Sequence, residues 1–307
     1  MIKIHQSPLL MLRKIQKNLQ NLGVIYKYKQ CFSDTQKIIS FESDQWNSIH
    51  VNIKQIPQEK QLFSKILKNS EQQWLSDQKK AVWLKINVDQ LEVLQESINL
   101  GYKIHHATSE YILLSKWLLE GQKNKLPGYA SHYVGCGGAV INSKNEVLMV
   151  QEKYGYNTGI WSFPGGRADP NEEINQTAER EVYEELGIKV EAVDLLLVRE
   201  STQSIFNKPD LYFAFLMRPV EQNPEIKLDK EELNNYTWIP LSKIDEFIAK
   251  ERVSTYYVQK TILDKVNQLY KQGFDFQNDR LSIKNSYQNY PRNGTNYIMY
   301  QLKNPKN

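Results

Sequence analysis

The segment best equipped for chemistry runs from Gly165 to Ile188, GGRADPNEEINQTAEREVYEELGI. From Ile174 to Leu186 it reads as a helix, preceded by Pro170 and Asn171 and stopped by Gly187. A helix turns about 100° per residue, so Glu181, Glu184 and Glu185 fall within an arc of about 100°. Three carboxylates on one strip repel one another, so they need either a compensating cation or water. Ile174, Ala178, Val182 and Leu186 occupy the adjoining arc, which puts the glutamates at the edge of the packed face. Hard oxygen ligands at that spacing suit Mg²⁺ or Mn²⁺, ions that commonly bridge to substrate phosphates. Arg180 could orient a carboxylate or touch phosphate. The plainer alternative is a solvated acidic helix face with i,i+4 pairing, and the glutamates by themselves leave both readings open.

The elements that must position this helix are legible in outline. His132–Ile141 reads as a strand whose Gly135, Gly137 and Gly138 let neighbouring chain come close. A turn at Asn142–Asn145 leads to a second strand, Val147–Gln151. Ile160–Phe163 precedes a Gly-rich loop and the helix. Further strands are expected at Val190–Glu200, Leu211–Met217 and Tyr236–Ile239, then helices at Ser242–Lys250 and Val253–Gln272. This mixed order predicts α+β, a mixed sheet with helices on both faces, over residues 131–272. Ahead of it, residues 38–120 read as a smaller α/β domain. Its strands are Ser48–Ile53, Ala81–Ile86 and Tyr111–Trp117, and its helices Gln58–Ser76 and Asp89–Asn99, the latter ended by Gly101. A polar hinge, Glu120–Ser131, separates the two. Residues 273–307 form an Asn/Tyr-rich extension with one strand-like patch, Tyr297–Leu302, and no assignable chemistry.

Of 307 residues, 39 are Lys or Arg and 35 Asp or Glu, for a net charge of +4. Lys3, Arg13, Lys14, Lys17, Lys27 and Lys29 all precede the first acid, Asp34, so residues 34–307 carry 33 bases against 35 acids. That distribution argues against a nucleic-acid-binding body. No run of about 18 apolar residues is present, so no transmembrane helix is expected. Cys31 and Cys136, far apart, predict neither a disulfide framework nor a structural zinc. Within residues 1–37, Leu9, Leu12, Ile15, Leu19 and Leu22 define an amphipathic basic helix. An acid-free amphipathic leader suggests the mitochondrial matrix; an ordinary first helix of a cytoplasmic protein is the alternative.

Counted from Gly166, Glu172 stands at six, Arg180 and Glu181 at fourteen and fifteen, Val182 next, Glu184 and Glu185 at eighteen and nineteen, Gly187 at twenty-one and Ile188 at twenty-two. The pattern resembles the Nudix box, G-x5-E-x7-R-E-U-x-E-E-x-G-U with U aliphatic, at every defined position. Residues 81–117 and 131–152 also resemble the Nudix proteins that carry a pre-Nudix domain. That group includes the antisense fibroblast growth factor protein and plant ADP-ribose/NADH pyrophosphatases. The resemblance spans residues 38–270 and includes the paired His105 and His106, to which no catalytic role is assigned. It implies an αβα sandwich of the Nudix fold and hydrolysis of a nucleoside diphosphate linked to another moiety. Under it Glu181, Glu184 and Glu185 would hold Mg²⁺ or Mn²⁺, with the Gly166 carbonyl a further ligand. Arg180 and Glu172 would pair across the loop and helix. The general base would be a box glutamate or a downstream carboxylate, Glu231 or Glu232 of LDKEEL; a solvated helix start is the other reading of that stretch.

ADP-ribose and NADH are the substrates the resemblance favours. The array SQPWPFPQS of one class of NADH pyrophosphatases and a CoA-type motif are both missing. Tyr154, Tyr156, Trp161 and Phe206 could stack on a base or pack in the core or at its rim. Two other classes of function compete with catalysis. One is a structural or accessory subunit docked in a larger, mitochondrial assembly or a homodimer; the other is a nucleotide sensor without turnover. If the leader is a removable presequence, import into mitochondria will shorten the chain at its N-terminus. An intact Met1 on the mitochondrial protein would exclude that.

Overall fold

The computed structural model describes residues 38–53, 60–155, 158–202, 204–250, 257–281, 283–290 and 295–302. The leader helix, Cys31 and Tyr156 lie outside them. The chain divides into two compact units, Met1–Ala130 and Ser131–Asn307. Among the described residues no helix is long and apolar enough to cross a membrane.

The first unit contains β1 (Glu42–Ser43), β2 (Ser48–Asn52), α1 (Lys60–Ser76) and β3 (Ala81–Asn87). A 3₁₀ turn, Val88–Val93, runs into α2 (Leu94–Asn99), followed by β4 (Lys103–Ala107) and β5 (Tyr111–Trp117). The strands form one sheet in the order β1-β2-β3-β5-β4. Only β2 and β3 are parallel, which demands a crossover, and α1 is that crossover. Period-two alternation sorts the faces. Ile49, Val51, Val82, Leu84 and Ile86 are buried with Phe63, Leu67 and Trp74 of α1, while Trp83 and Lys85 alternate with them on the other face. Strand β4 escaped the sequence reading because its KIHHA has no apolar alternation; it exists by pairing with β5.

The second unit contains β6 (Tyr133–Val140), β7 (Glu146–Glu152), β8 (Trp161–Ser162), β9 (Gly165–Arg167), α3 (Ile174–Leu186), β10 (Val190–Ser201), β11 (Asp210–Pro219), β12 (Leu233–Pro240), α4 (Ile244–Lys250), α5 (Tyr257–Lys271), β13 (Ile283–Tyr290) and β14 (Thr295–Leu302). A mixed sheet, β10-β11-β6-β9, holds one parallel pair, β11 with β6. A three-stranded antiparallel sheet, β12-β7-β8, accompanies it. Alternate residues of the same strands face opposite helices. Cys136, Val140, Phe215 and Met217 pack with Ala178, Val182 and Leu186 of α3. Ala139, Ile141, Ala214 and Leu216 pack with Ile244 of α4 and Ile262, Leu263 and Val266 of α5. The result is the expected α+β sandwich, with helices on both faces.

Three further features differ from the sequence reading. Part of the Gly-rich loop is a strand: β9 pairs antiparallel with β6, Gly137 opposite Gly165. A Cβ at Gly137 would collide with the Pro164 carbonyl, so the close approach needs glycine there. The second unit's core also continues past residue 272, since Phe276 is buried in it, Phe274 packs against it, and the Leu281 N–H donates to Asp194 Oδ2 at 2.8 Å. The extension further contains a hairpin, β13 with β14, where one strand was expected.

Helix α3 ends at Gly187, whose φ of 71° is left-handed and whose N–H donates to the Tyr183 carbonyl at 2.8 Å. A Cβ there would lie 2.8 Å from Lys227 Cβ. Gly187→Ala is therefore expected to cost about 1–3 kcal/mol, read as a lower urea midpoint for the second unit. An unchanged midpoint would mean that the helix end is not fixed this way.

Candidate active site

The site is built outward from Glu172, just ahead of α3. Its Oε2 accepts from the Asp169 N–H at 3.0 Å and the Thr177 hydroxyl at 2.8 Å, tying the loop to the first turn of the helix. Arg180, two turns further on, donates from Nε to Glu172 Oε1 at 2.7 Å and from Nη2 to Oε2 at 2.9 Å. This two-point bond holds the Glu172 carboxyl far below the usual carboxylate range, at about 2. The rest of the guanidinium is also engaged. Nη1 donates to Glu181 Oε1 at 2.8 Å and Glu184 Oε2 at 2.9 Å, and Nη2 to the Arg167 carbonyl of β9 at 2.8 Å. These partners push the Arg180 pKa up, against the effect of its own desolvation.

The three glutamates on the helix strip have three different environments. Glu185 is buried, and its pKa is raised well above the carboxylate range by burial first and by Glu181 second. A bond from the Gly165 N–H opposes that shift, while Glu232 and Glu152 add to it. Its Oε2 is buried without a hydrogen-bond partner. Glu181 is half-buried and also raised, by burial against the pull of Arg180, with Glu184 and Glu232 adding. Glu184 stands outward, its side chain 57% exposed. The solvated-face alternative thus describes Glu184 alone. A Cβ at Gly166 would fall on the Glu181 carboxylate, so only glycine allows this backbone to pass the carboxylate.

Glu232 reaches the cluster through the backbone. The Lys227 N–H donates to the Leu186 carbonyl and the Asp229 N–H to the Glu185 carbonyl, both at 2.8 Å, capping the end of α3. The Glu232 carbonyl then accepts from the Lys153 N–H at 2.8 Å. Residues 230–232 therefore turn into β12, and the helix start that was the other reading of this stretch does not form; Asp229 Oδ1 accepts the Glu231 N–H instead, at 2.8 Å. The charge of Glu232 helps to raise the pKa of both Glu181 and Glu185.

Sequence reasoning missed Glu152, at the end of β7, opposite Leu233 and coupled to Glu185. It also missed Tyr212 of β11, whose phenol is raised by burial first and Glu185 second. The pairing of β7 with β12 is the signal that would have found Glu152, and one chain's residue pattern does not reveal that pairing. Of the aromatics, Trp161 is a core residue against Phe247, with ring centroids 5.9 Å apart, so base stacking is closed to it. Tyr154 and Phe206 are exposed.

Among the described residues no three His, Cys, Asp or Glu groups already converge to hold an ion. Arg180 instead engages two of the candidate ligands. The donor set still fits a hard cation: a buried carboxylate oxygen without a partner on Glu185, two carboxylates shared with one arginine, and a glycine backbone against Glu181.

Residues 39–118 match the family profile of the Nudix hydrolase domain, and residues 132–258 that of the NUDIX domain. Nudix hydrolase 8 of Arabidopsis thaliana is 35% identical over 229 residues, 73% of this chain and 62% of that protein. Nudix hydrolase 2 of the same plant is 34% identical over 210 residues, 68% of this chain and 73% of that protein. The human protein nucleoside diphosphate-linked moiety X motif 6 is 36% identical over 219 residues, 69% of this chain and 66% of that protein. The chain thus spans less than two thirds of the first and third of these relatives.

The depressed Glu172 pKa has a stability consequence. The stability it contributes is present in full above the ordinary value of 4.5 and is lost as pH falls through the folded value of about 2. Denaturant titrations should show wild type losing on the order of 2 kcal/mol across that window. Glu172→Gln should be less stable at neutral pH and lack this acid-dependent increment. Parallel pH profiles for the two proteins would refute the assignment.

Proposed function

The chain belongs to the Nudix hydrolase family, and from that premise we propose that it cleaves the diphosphate bond of a nucleoside diphosphate linked to a second moiety, with Mg²⁺ or Mn²⁺ as cofactor. The observation that carries this reading is the buried, unpartnered Oε2 of Glu185. Leaving a carboxyl oxygen dry and unpaired costs stability, and a cation bound beside it would remove that cost and let Glu185 ionise. Glu181, Glu184, Glu185 and the Gly166 carbonyl are the ligands proposed for the ion. Bound there, a divalent cation would neutralise phosphate charge and lower the pKa of a coordinated water.

The chain's own residues have separate tasks. Arg180 can share Glu181 and Glu184 because its two-point bond to Glu172 keeps it in place without them. Glu232, brought to the cluster by the Lys153 backbone, is the carboxylate proposed to take the proton of the attacking water. The dry surroundings of Glu185 strengthen every charge interaction at the reacting phosphate. ADP-ribose or NADH is the proposed substrate, and the basic leader supports a mitochondrial location as part of the same proposal.

Purified full-length protein with Mg²⁺ or Mn²⁺ should release AMP from ADP-ribose or NADH, with CoA, diadenosine polyphosphates and 8-oxo-dGTP as competing candidates. Glu184→Gln and Glu185→Gln are each expected to lower the rate by about 100-fold, the usual scale for losing one charge-stabilising group at a reacting centre. Glu185→Gln should also weaken Mn²⁺ binding measured by electron paramagnetic resonance. Turnover of none of these compounds, with Glu184→Gln indistinguishable from wild type, would sink the catalytic reading. Recovery of that inactive protein in a stable large complex would then point to the accessory role.

A further inference from the structure

The first unit carries a side-chain cluster that the candidate site does not use. The register of β4 against β5 shifts between Ile104 and His106, so His105 is the extra residue of a bulge. His105 Nδ1 lies 2.7 Å from His106 Nδ1. Beyond that contact, His105 Nε2 is 3.2 Å from the carbonyl oxygen of Pro127, and His106 Nε2 is 3.4 Å from the Tyr111 hydroxyl. Tyr129 stacks on His106, with centroids 4.6 Å apart and planes at 18°, and meets His105 edge-on at 5.8 Å. Trp83 closes the other side of His105, edge-on at 5.0 Å. Pro127 and Tyr129 belong to the segment that leaves this unit.

The carbonyl end sets the direction of the whole chain of bonds. A carbonyl only accepts, so His105 Nε2 carries a proton and donates to Pro127. With His105 neutral, its Nδ1 is then the acceptor, and His106 Nδ1–H is the donor. His106 Nε2 is left to accept from the Tyr111 hydroxyl. One added proton is tolerated: His105 Nδ1–H can donate to His106 Nδ1, with His106 Nε2–H turned toward the Tyr111 oxygen. A second added proton places two N–H groups and two positive charges face to face.

We propose that His105 and His106 form a latch that holds residues 127–129 on the outer face of the first unit's sheet while at least one ring is neutral, and frees them when both rings are protonated. The charged and titratable neighbours suit that behaviour. Lys85 lies over the Tyr111 ring, its Nζ 4.1 Å from the centroid, adding positive charge on the β3 side. His50 stacks on Trp83 with centroids 6.4 Å apart, and its own partner is Asp44 at 3.2 Å. Desolvation first and His105 second hold the His106 pKa below the ordinary histidine value, so the doubly protonated state is reached only in acid.

The test uses the full chain. Trypsin cleaves after Lys123 and Lys125, both exposed, and must draw several flanking residues into its cleft, so a held 127–129 slows it. His106→Ala and Tyr129→Ala should each be cut there about tenfold faster than wild type at pH 7.5, the scale expected for losing one aromatic pair. Tyr129 is 54% exposed, so removing it leaves the sheet intact. Long-range ¹H–¹⁵N spectra should find opposite tautomers at neutral pH, the proton on Nδ1 of His106 and on Nε2 of His105. The Tyr129 ring signals should move with the second, more acidic histidine titration. Equal cleavage of all three proteins, the same tautomer on both rings, or Tyr129 signals blind to that titration would each overturn the latch.

Discussion

The guanidinium of Arg180 is the interaction on which the candidate site depends. Its five N–H donors meet five acceptors: two oxygens of Glu172, one each of Glu181 and Glu184, and the Arg167 carbonyl. One planar group therefore joins the loop before α3, two turns of the helix and the short strand β9. A lysine ammonium has three donors and no fork, and could not make these connections at once. The like-charge repulsion inherent in three glutamates on one strip is met locally, by the residue next to the first of them.

That arrangement also separates the glutamates by solvent. Val182 and Leu186 pull the α3 face onto Cys136 and Phe215, and the same rotation carries Glu185 into the dry layer while Glu184 stays wet. Glu181 lies between, against the Gly166 backbone. A helix that packed less deeply would leave Glu181 and Glu185 in water as well, without the desolvation that raises their pKa values. The core therefore acts on the chemistry directly: apolar packing on one arc creates the desolvation felt on the next.

What could be read from the sequence was what lies within a single element or a fixed spacing. The bounds of α3, its buried arc and its stop at Gly187 follow from helical periodicity, and the approach of Glu172 to Arg180 was what the resemblance to the Nudix box implied. What escaped was set by pairing between distant strands. Glu152 enters the cluster because β7 lies beside β12, and β4 exists because β5 offers it an edge. The acids of LDKEEL left a helix start and a pair of candidate bases both open, and backbone bonds to the α3 terminus and to Lys153 draw that stretch into a turn. For Trp161 the sequence left base stacking and core packing both open, and the two-residue β8 settles it by placing the ring in the core. Phe274 and Phe276 sit in a polar stretch whose composition hid their burial.

Charge distribution connects these points to the proposed reaction. With the leader set aside, residues 34–307 are slightly acidic, and part of that acidity is concentrated where Glu152, Glu181, Glu185 and Glu232 feel one another. The single positive charge of Arg180 is already divided among Glu172, Glu181 and Glu184. Such a site repels a diphosphate as it stands. The field that excludes the anion is the same field that attracts a hard cation, and the desolvation that makes Glu185 reluctant to ionise alone makes its carboxylate a stronger partner once a cation shares the space. An acidic site can serve an anionic substrate only if the cation comes with it, so metal affinity and substrate affinity must be linked, each raising the other by the same factor.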